Sequence, residues 1–273
     1  MGEPVLELAA LESVLAAMED VAVAVSGGVD SLTLATFAHR LIGERCVMFH
    51  AVSPAVPSEA TQRTQALAAR EGWALRVIDA GEFDNAQYMH NPVNRCFYCK
   101  TSLYGSIRPH TSAQIVSGTN LDDLGEYRPG LIAAKEHAVR HPFVEAAMDK
   151  QRVRSLARQL GLAGVSELPA SPCLSSRIET GIAIDPAMLA RVHATENLVS
   201  ERLAPKTVRC RVRAKGVVIE LDQDTLTRLN GEPRDALSTE IARLFSSGGF
   251  EYPVAFEPYR TGSAFLHFKP RQA

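Results

Sequence analysis

The sequence lacks the marks of several whole classes of protein. It has a single tryptophan, five cysteines in 273 residues, no excess of either charge (29 Lys and Arg against 31 Asp and Glu) and no long apolar run. The five thiols, Cys46, Cys96, Cys99, Cys173 and Cys210, are too sparse and odd in number for a disulfide framework, and fit a reducing compartment. No stretch approaches the ~18 uninterrupted apolar residues of a membrane span, because charge or glycine breaks each candidate within about a dozen positions. The first residues, 1–20, form an acidic amphipathic pattern on Leu6, Leu8, Leu11, Val14, Leu15 and Met18. They lack the basic-then-apolar layout of a secretory leader. A cytoplasmic protein without membrane association is expected. A net charge of −2, a pI near 6.5 and no Lys/Arg run give no global electrostatic reason to bind nucleic acid. Repeats and low-complexity segments are also missing. With 46% hydrophobic and 22% charged residues, intrinsic disorder is excluded.

What is present is an alternation of strands and helices. Val21 to Val25 is wholly apolar, as expected of a parallel strand buried on both faces. A glycine turn, Ser26-Gly27-Gly28-Val29-Asp30-Ser31, leads into helical spacing from Leu32. The pattern continues with a strand over 46–52, a helix over 58–71, and strands over 75–78 and 115–117. This predicts a doubly wound parallel α/β sheet. A helix over 149–160 precedes an irregular stretch, 163–184. Then come a helix over 186–203, a hairpin of 208–212 with 217–221, a helix over 235–245 and a strand over 252–256. The expected division is an α/β domain over 1–183 and a smaller α+β domain over 184–273.

Two motifs carry chemistry. The glycine turn places backbone N–H groups at the positive end of a helix dipole, which makes an anion cradle. It has neither the lysine of a Walker-A loop nor the spacing of G-x-G-x-x-G. A second segment, Gly118-Thr119-Asn120-Leu121-Asp122-Asp123-Leu124-Gly125-Glu126, follows a predicted strand. It would lie at the same carboxyl edge, where open α/β sheets bind ligands. Its carboxylates Asp122, Asp123 and Glu126 suit magnesium or, more simply, a solvated capping loop.

The C-x-x-C of Asn94-Arg95-Cys96-Phe97-Tyr98-Cys99-Lys100, with Cys173 in Pro172-Cys173-Leu174-Ser175-Ser176-Arg177, leaves three chemistries open. A structural zinc site would want four protein ligands. Three thiolates fit an iron–sulfur cluster with one open iron, and a Cys96–Cys99 redox pair is the third. Cys46 and Cys210, on predicted strands, read as packing residues. The eight histidines show no metal or triad spacing and are assigned no role, and Trp73 reads as core.

The S-G-G-V-D-S loop resembles that of PP-loop ATP pyrophosphatases, of the adenine nucleotide alpha hydrolase-like type. In order, S-G-G-V-D-S, N-R-C-F-Y-C-K, G-T-N-L-D-D-L-G-E-Y-R-P-G, P-C-L-S-S-R, R-V-R and Y-R-T-G-S are similar to the LarE family of ATP-dependent sacrificial sulfur transferases. The resemblance implies assembly of the nickel-pincer nucleotide of lactate racemase: a pyridinium carboxylate is adenylylated with release of pyrophosphate, then converted to a thiocarboxylate. It implies ATP with Mg2+, and in members carrying the C-x-x-C a [4Fe-4S] cluster on three cysteines, here Cys96, Cys99 and Cys173. Cys173 matches the nucleophile and sulfur donor. Ser26, Gly27, Gly28, Val29, Asp30, Ser31, Gly118, Thr119 and Glu126 would hold the nucleotide, with Asp122 and Asp123 on the metal. Arg177, Arg211 and Arg213 would grip substrate phosphate, with Glu196 and Arg260 nearby. The chain departs from the family at Lys215, where a histidine is usual, and over 217–219, where an arginine is. The expected partner is a small nucleotide substrate, with no nucleic acid and no membrane, and a homo-oligomer is expected. Rival readings are a PP-loop tRNA thiolase, which would need a basic RNA-binding domain, and a nucleotide-sensing module without turnover.

Overall fold

The structure, a computed structural model, describes residues 3–125, 128–246 and 252–265. The chain divides into two compact units: Met1–Asn85 with Asn94–Ser171, and Ala86–Val93 with Pro172–Ala273.

The first unit is built on a four-stranded sheet of β1 (Val21–Val25), β2 (Cys46–Val52), β3 (Ala74–Asp79) and β4 (Gln114–Ser117), in the order β3-β2-β1-β4. Every pairing is parallel. All of β1 is buried, and its alternation explains why. Val21, Val23 and Val25 pack into one core with Leu11, Leu32, Phe143 and Val153, while Ala22 and Ala24 face a second core with Phe49, Tyr104, Ile107 and Ala134. Successive side chains of a strand point to opposite faces, so a sheet covered on both faces needs an uninterrupted apolar strand at its centre. Each buried valine contributes about 1.5–3 kcal/mol by removal from water. The expected doubly wound sheet is the one observed.

The chain builds outward from β1 to β2 and β3, then returns to place β4 on the other side of β1. The carboxyl ends of β1 and β4 therefore flank a topological switch point, the place where connections leave a crevice in open α/β sheets.

The second unit carries a three-stranded sheet in the order β5-β6-β7, of β5 (Val208–Arg213), β6 (Gly216–Leu221) and β7 (Val254–Pro258). β5 and β6 form the expected antiparallel hairpin, and β7 adds to β6 in parallel. The strand expected over 252–256 begins later, at Val254, because Pro253 has no N–H to give a ladder; its carbonyl instead accepts from Val217 at 2.9 Å. The helix Pro186–Leu203 starts as predicted. Asp185 caps it by accepting from the N–H groups of Ala187 and Met188, and Pro186 occupies a position needing no N–H. The helix expected over 235–245 starts earlier, at Gly231, since a proline in a first turn costs no helical bond. The stretch 163–184 is irregular apart from a short helix, Ala163–Ser166, and a 3-10 turn, Leu174–Arg177. Arg95–Ile107, given no element from sequence, is a helix. No described helix is long and apolar enough to cross a membrane.

Candidate functional site

Ser26, Gly27 and Gly28 turn the chain from β1 into the helix Val29–Ile42. At Gly27 φ is +80°, and a Cβ there would stand 2.6 Å from the Ala60 carbonyl oxygen, so backbone and space both demand glycine. Gly28 differs: φ is −89° and a Cβ would meet nothing closer than Ser26 Oγ at 3.6 Å. The Ser31 hydroxyl locks the turn. It accepts from Ser26 N–H at 3.0 Å and donates to the Gly28 carbonyl at 3.2 Å, which leaves the Ser26 hydroxyl to donate to it at 3.1 Å. The first intrahelical bond runs from Leu32 N–H to the Gly28 carbonyl, and no side chain caps the helix at Gly28. The N–H groups of Val29, Asp30 and Ser31 thus have no acceptor within the helix, and with the helix dipole they favour an anion.

The segment after β4 meets this loop closely. A Cβ on Gly118 would lie 2.8 Å from the Asp30 carbonyl carbon and the Ser31 nitrogen. Thr119 shares a hydroxyl–hydroxyl bond of 3.1 Å with Ser117, whose oxygen also meets His141 Nδ1 at 2.9 Å. Asp30 is held between the Lys150 ammonium and the Asn120 amide. Asp122 accepts from Lys150 N–H at 3.2 Å, and Asp123 accepts from Asn120 N–H at 3.1 Å while pairing with Arg128 at 2.9 Å. These carboxylates tie loops together and answer the protein's own donors. Glu126 lies outside the described residues.

Sequence reasoning assigned no role to His50, Arg63, Asn120, His141 or Lys150, all of which border the loop or the β4 segment. His50 is buried on β2; its Nδ1 meets the Val25 carbonyl and its Nε2 the Thr61 hydroxyl, both at 2.9 Å. A carbonyl only accepts, so Nδ1 carries the proton and Nε2 accepts. Burial pushes the His50 pKa down, partly offset by the Val25 bond. His141 is pushed down as well, chiefly by burial, with Glu145 opposing.

None of the five cysteines is in a disulfide. Cys46 and Cys210 are fully buried, and desolvation pushes Cys46 up to about 12 and Cys210 well above the ordinary thiol range. Both are inert packing thiols, as expected. Cys96, Cys99 and Cys173 are partly exposed. Cys96 and Cys99 sit one turn apart on the helix Arg95–Ile107 in the first unit, and Cys173 belongs to the second. Among the described residues no three His, Cys, Asp or Glu side chains gather as ligands of one metal ion.

Cys173 immediately precedes the 3-10 turn Leu174–Arg177, and the turn is heavily braced. Arg177, 2% exposed, donates through Nη1 to the carbonyls of Pro172 and Cys173, at 2.6 and 3.2 Å. Its Nε and Nη2 form a fork on Glu196, both at 2.9 Å, and Glu196 also accepts from Cys210 N–H on β5. Arg177 therefore positions the cysteine turn, and its donors are spent within the protein. Tyr88 bonds the Ser175 hydroxyl at 2.6 Å, and Asn91 donates to the carbonyls of Glu179 and Ile182, both at 2.9 Å. These bonds tie Ala86–Val93 to the rest of the second unit.

Arg211 and Arg213 alternate on one face of β5 and share Glu220, which is 0% exposed. Arg211 also donates to the Ser176 and Arg260 carbonyls. Arg213 Nη1 lies 3.6 Å from Glu257, and its buried Nε has no partner among the described residues. Arg260 is exposed at the edge of this group, 4.0 Å from Glu257. Burial lowers the Arg209 pKa, with Arg177 adding to the shift and Glu196 opposing it.

No family model matches the chain. The uncharacterized protein slr1717 of Synechocystis sp. is 36% identical over 245 residues, covering 88% of this chain and 90% of that protein. The uncharacterized protein MJ0830 of Methanocaldococcus jannaschii is 25% identical, again over 88% of this chain and 90% of the other. Pyridinium-3,5-bisthiocarboxylic acid mononucleotide synthase of Lactiplantibacillus plantarum is 29% identical over 249 residues, covering 89% of this chain and 88% of its own length. An uncapped S-G-G-V-D-S loop, a cysteine braced in P-C-L-S-S-R and near-complete coverage in both directions agree, and the chain belongs to the LarE family.

Proposed function

We propose that the protein is an ATP-dependent sulfurtransferase of nickel-pincer cofactor assembly, acting on a carboxylated nicotinate mononucleotide. The name of the Lactiplantibacillus plantarum relative supplies the substrate class. The observation that carries the reading is the uncapped helix end at the β1/β4 switch point, which offers backbone donors to the phosphates of a nucleotide.

In the first step a pyridinium carboxylate oxygen attacks the α-phosphorus of ATP, and pyrophosphate leaves with the bonding pair. Donors fixed before the reaction stabilise the charge that collects on the leaving group. In the second step the Cys173 thiolate attacks the acyl carbon and AMP departs, leaving a thioester. A base then removes the Cα proton of Cys173, the Cβ–S bond breaks, and the thiocarboxylate takes the sulfur and the electron pair. Residue 173 is left as dehydroalanine. Arg177 holds the carbonyls on either side of the nucleophile, which fixes the turn from which Sγ must act.

Magnesium enters with the nucleotide. Asp30, Asp122 and Asp123 do not make a prepared metal site, because each is already bonded to Lys150, Asn120 or Arg128, and no step is assigned to the ion. Cys96 and Cys99, i and i+3 on one helix, suit two thiolate ligands of an iron–sulfur cluster. A cluster held by that pair would offer sulfide as a second sulfur source, and thio-product formed without any loss of protein mass would point to it.

The test is pyrophosphate release and thio-product formation from ATP and carboxylated nicotinate mononucleotide, with intact-protein mass before and after. Wild type is expected to release pyrophosphate only with the nucleotide carboxylate and to lose one equivalent of hydrogen sulfide from its mass. Cys173→Ser is expected to release pyrophosphate without thio-product. Undiminished thio-product from that variant overturns the reading.

A further inference from the structure

The glycine loop has no lysine of its own, and its one acidic member, Asp30, is already answered by Lys150. A triphosphate there needs a cation, and the helix Ser58–Glu71 brings one. That helix touches the loop closely enough for the Ala60 carbonyl to exclude a side chain at Gly27. Arg63 lies one turn further along the same face. Its Nε donates to the Gly27 carbonyl at 3.0 Å. The guanidinium is rigid and planar, so anchoring Nε on the loop keeps both Nη groups within a few ångströms of it.

Three observations taken together separate Arg63 from Arg177 and Arg211. Both Nη groups are without a hydrogen-bond or ion-pair partner among the described residues, whereas Arg177 and Arg211 have partners on every nitrogen. Arg63 is half-buried, and burial outweighs the nearby Glu59 in disfavouring its charge, so a cation is kept there at a cost. It also sits on the loop whose N–H groups have no helical acceptors. A guanidinium with open donors beside an anion cradle is complementary to phosphate oxygens.

We propose that Arg63 is a phosphate-binding residue of the glycine loop, anchored through Nε and donating through its Nη groups to the terminal phosphates of a nucleoside triphosphate and to the departing pyrophosphate. This rests on the reading of the loop as a triphosphate site. It accounts for how an S-G-G-x-D-S turn in this chain neutralises phosphate without the lysine of a Walker-A loop.

The experiment compares ATP, pyrophosphate and AMP binding by equilibrium dialysis in wild type, Arg63→Lys, Arg63→Gln and Arg63→Ala, with thermal unfolding of each as the folding control. Gln can still donate to the Gly27 carbonyl but carries no charge; Lys keeps the charge and loses the planar anchor. The expected order of ATP and pyrophosphate affinity is wild type, Lys, then Gln with Ala. The last two should be weakened about 10- to 100-fold, the span of hydrogen bonds to charged groups, with AMP changed less than about twofold. Gln binding ATP as tightly as wild type or Lys would reduce Arg63 to a strut for the loop and overturn the proposal, as would equal losses for ATP and AMP. Should wild type bind neither ATP nor pyrophosphate, the loop's assignment falls first, an outcome distinct from any ranking of the variants.

Discussion

The glycine loop of the first unit and the arginine cluster of the second handle charge in opposite ways. The loop is built from backbone: its N–H groups are aligned by a helix, locked by Ser26 and Ser31, and left without acceptors. The cluster is built from side chains, and nearly all its donors are spent on Glu196, Glu220 and main-chain carbonyls. A motif rich in arginine looks from sequence like the better anion site. Once folded, the better-prepared donors are those of the loop, because peptide dipoles bring no counter-ion and buried guanidiniums must. The cluster's contribution is to hold the Cys173 turn.

The sharpest way to break this contrast is Glu220→Ala. Removing a buried carboxylate that holds two guanidiniums should cost about 3–5 kcal/mol, read as a fall in the denaturation midpoint. A loss under about 1 kcal/mol would mean that the cluster behaves like a surface ion pair. Next is Gly27→Ala, which places a Cβ at φ +80° and against the Ala60 carbonyl. It should destabilise by about 1–3 kcal/mol and bring ATP binding to background. Arg177→Lys keeps the charge but loses the fork on Glu196; thio-product formation should fall about 10- to 100-fold while ATP–pyrophosphate exchange stays. Exchange falling in parallel would show that Arg177 acts on the nucleotide instead.

A smaller effect concerns pH. His50 has its pKa lowered below 6.5 by burial, so the folded state favours the neutral ring. Its contribution is present above that ordinary value and is lost as pH falls towards the folded-state pKa. Stability should therefore decline below pH 6.5 more steeply in wild type than in His50→Gln, and equal slopes would remove the histidine from the account. The smallest effect is expected at Gly28→Ala, where a Cβ has room. Stability should change by less than about 1 kcal/mol, so any larger loss of ATP affinity would report a phosphate crowding that position, sharpening the distinction from Gly27.

Some of this was legible residue by residue. β1 could be read because a strand buried on both faces has no polar position, and S-G-G-V-D-S could be read as a strand-to-helix turn because glycine supplies the positive φ it needs. Cys46 and Cys210 were read as packing thiols from their place in strands, and both are buried. The bracing of Cys173 was not legible. Tyr88 and Asn91 reach it from 87 residues away, and no local pattern marks Ala86–Val93 as part of the second unit. His50, Arg63 and Lys150 escaped notice because each meets its partner only when a distant segment is placed beside it.

The sequence by itself determined the alternation of strands and helices, the glycine turn between β1 and its helix, and which thiols pack into strands. Those depend on periodicity, on glycine's freedom at positive φ and on hydrophobic burial, all of which act over a few residues. The tertiary structure decided which arginines are spent and which keep open donors. That depends on whether a carboxylate far along the chain arrives within hydrogen-bond reach, and desolvation then makes the pairing obligatory.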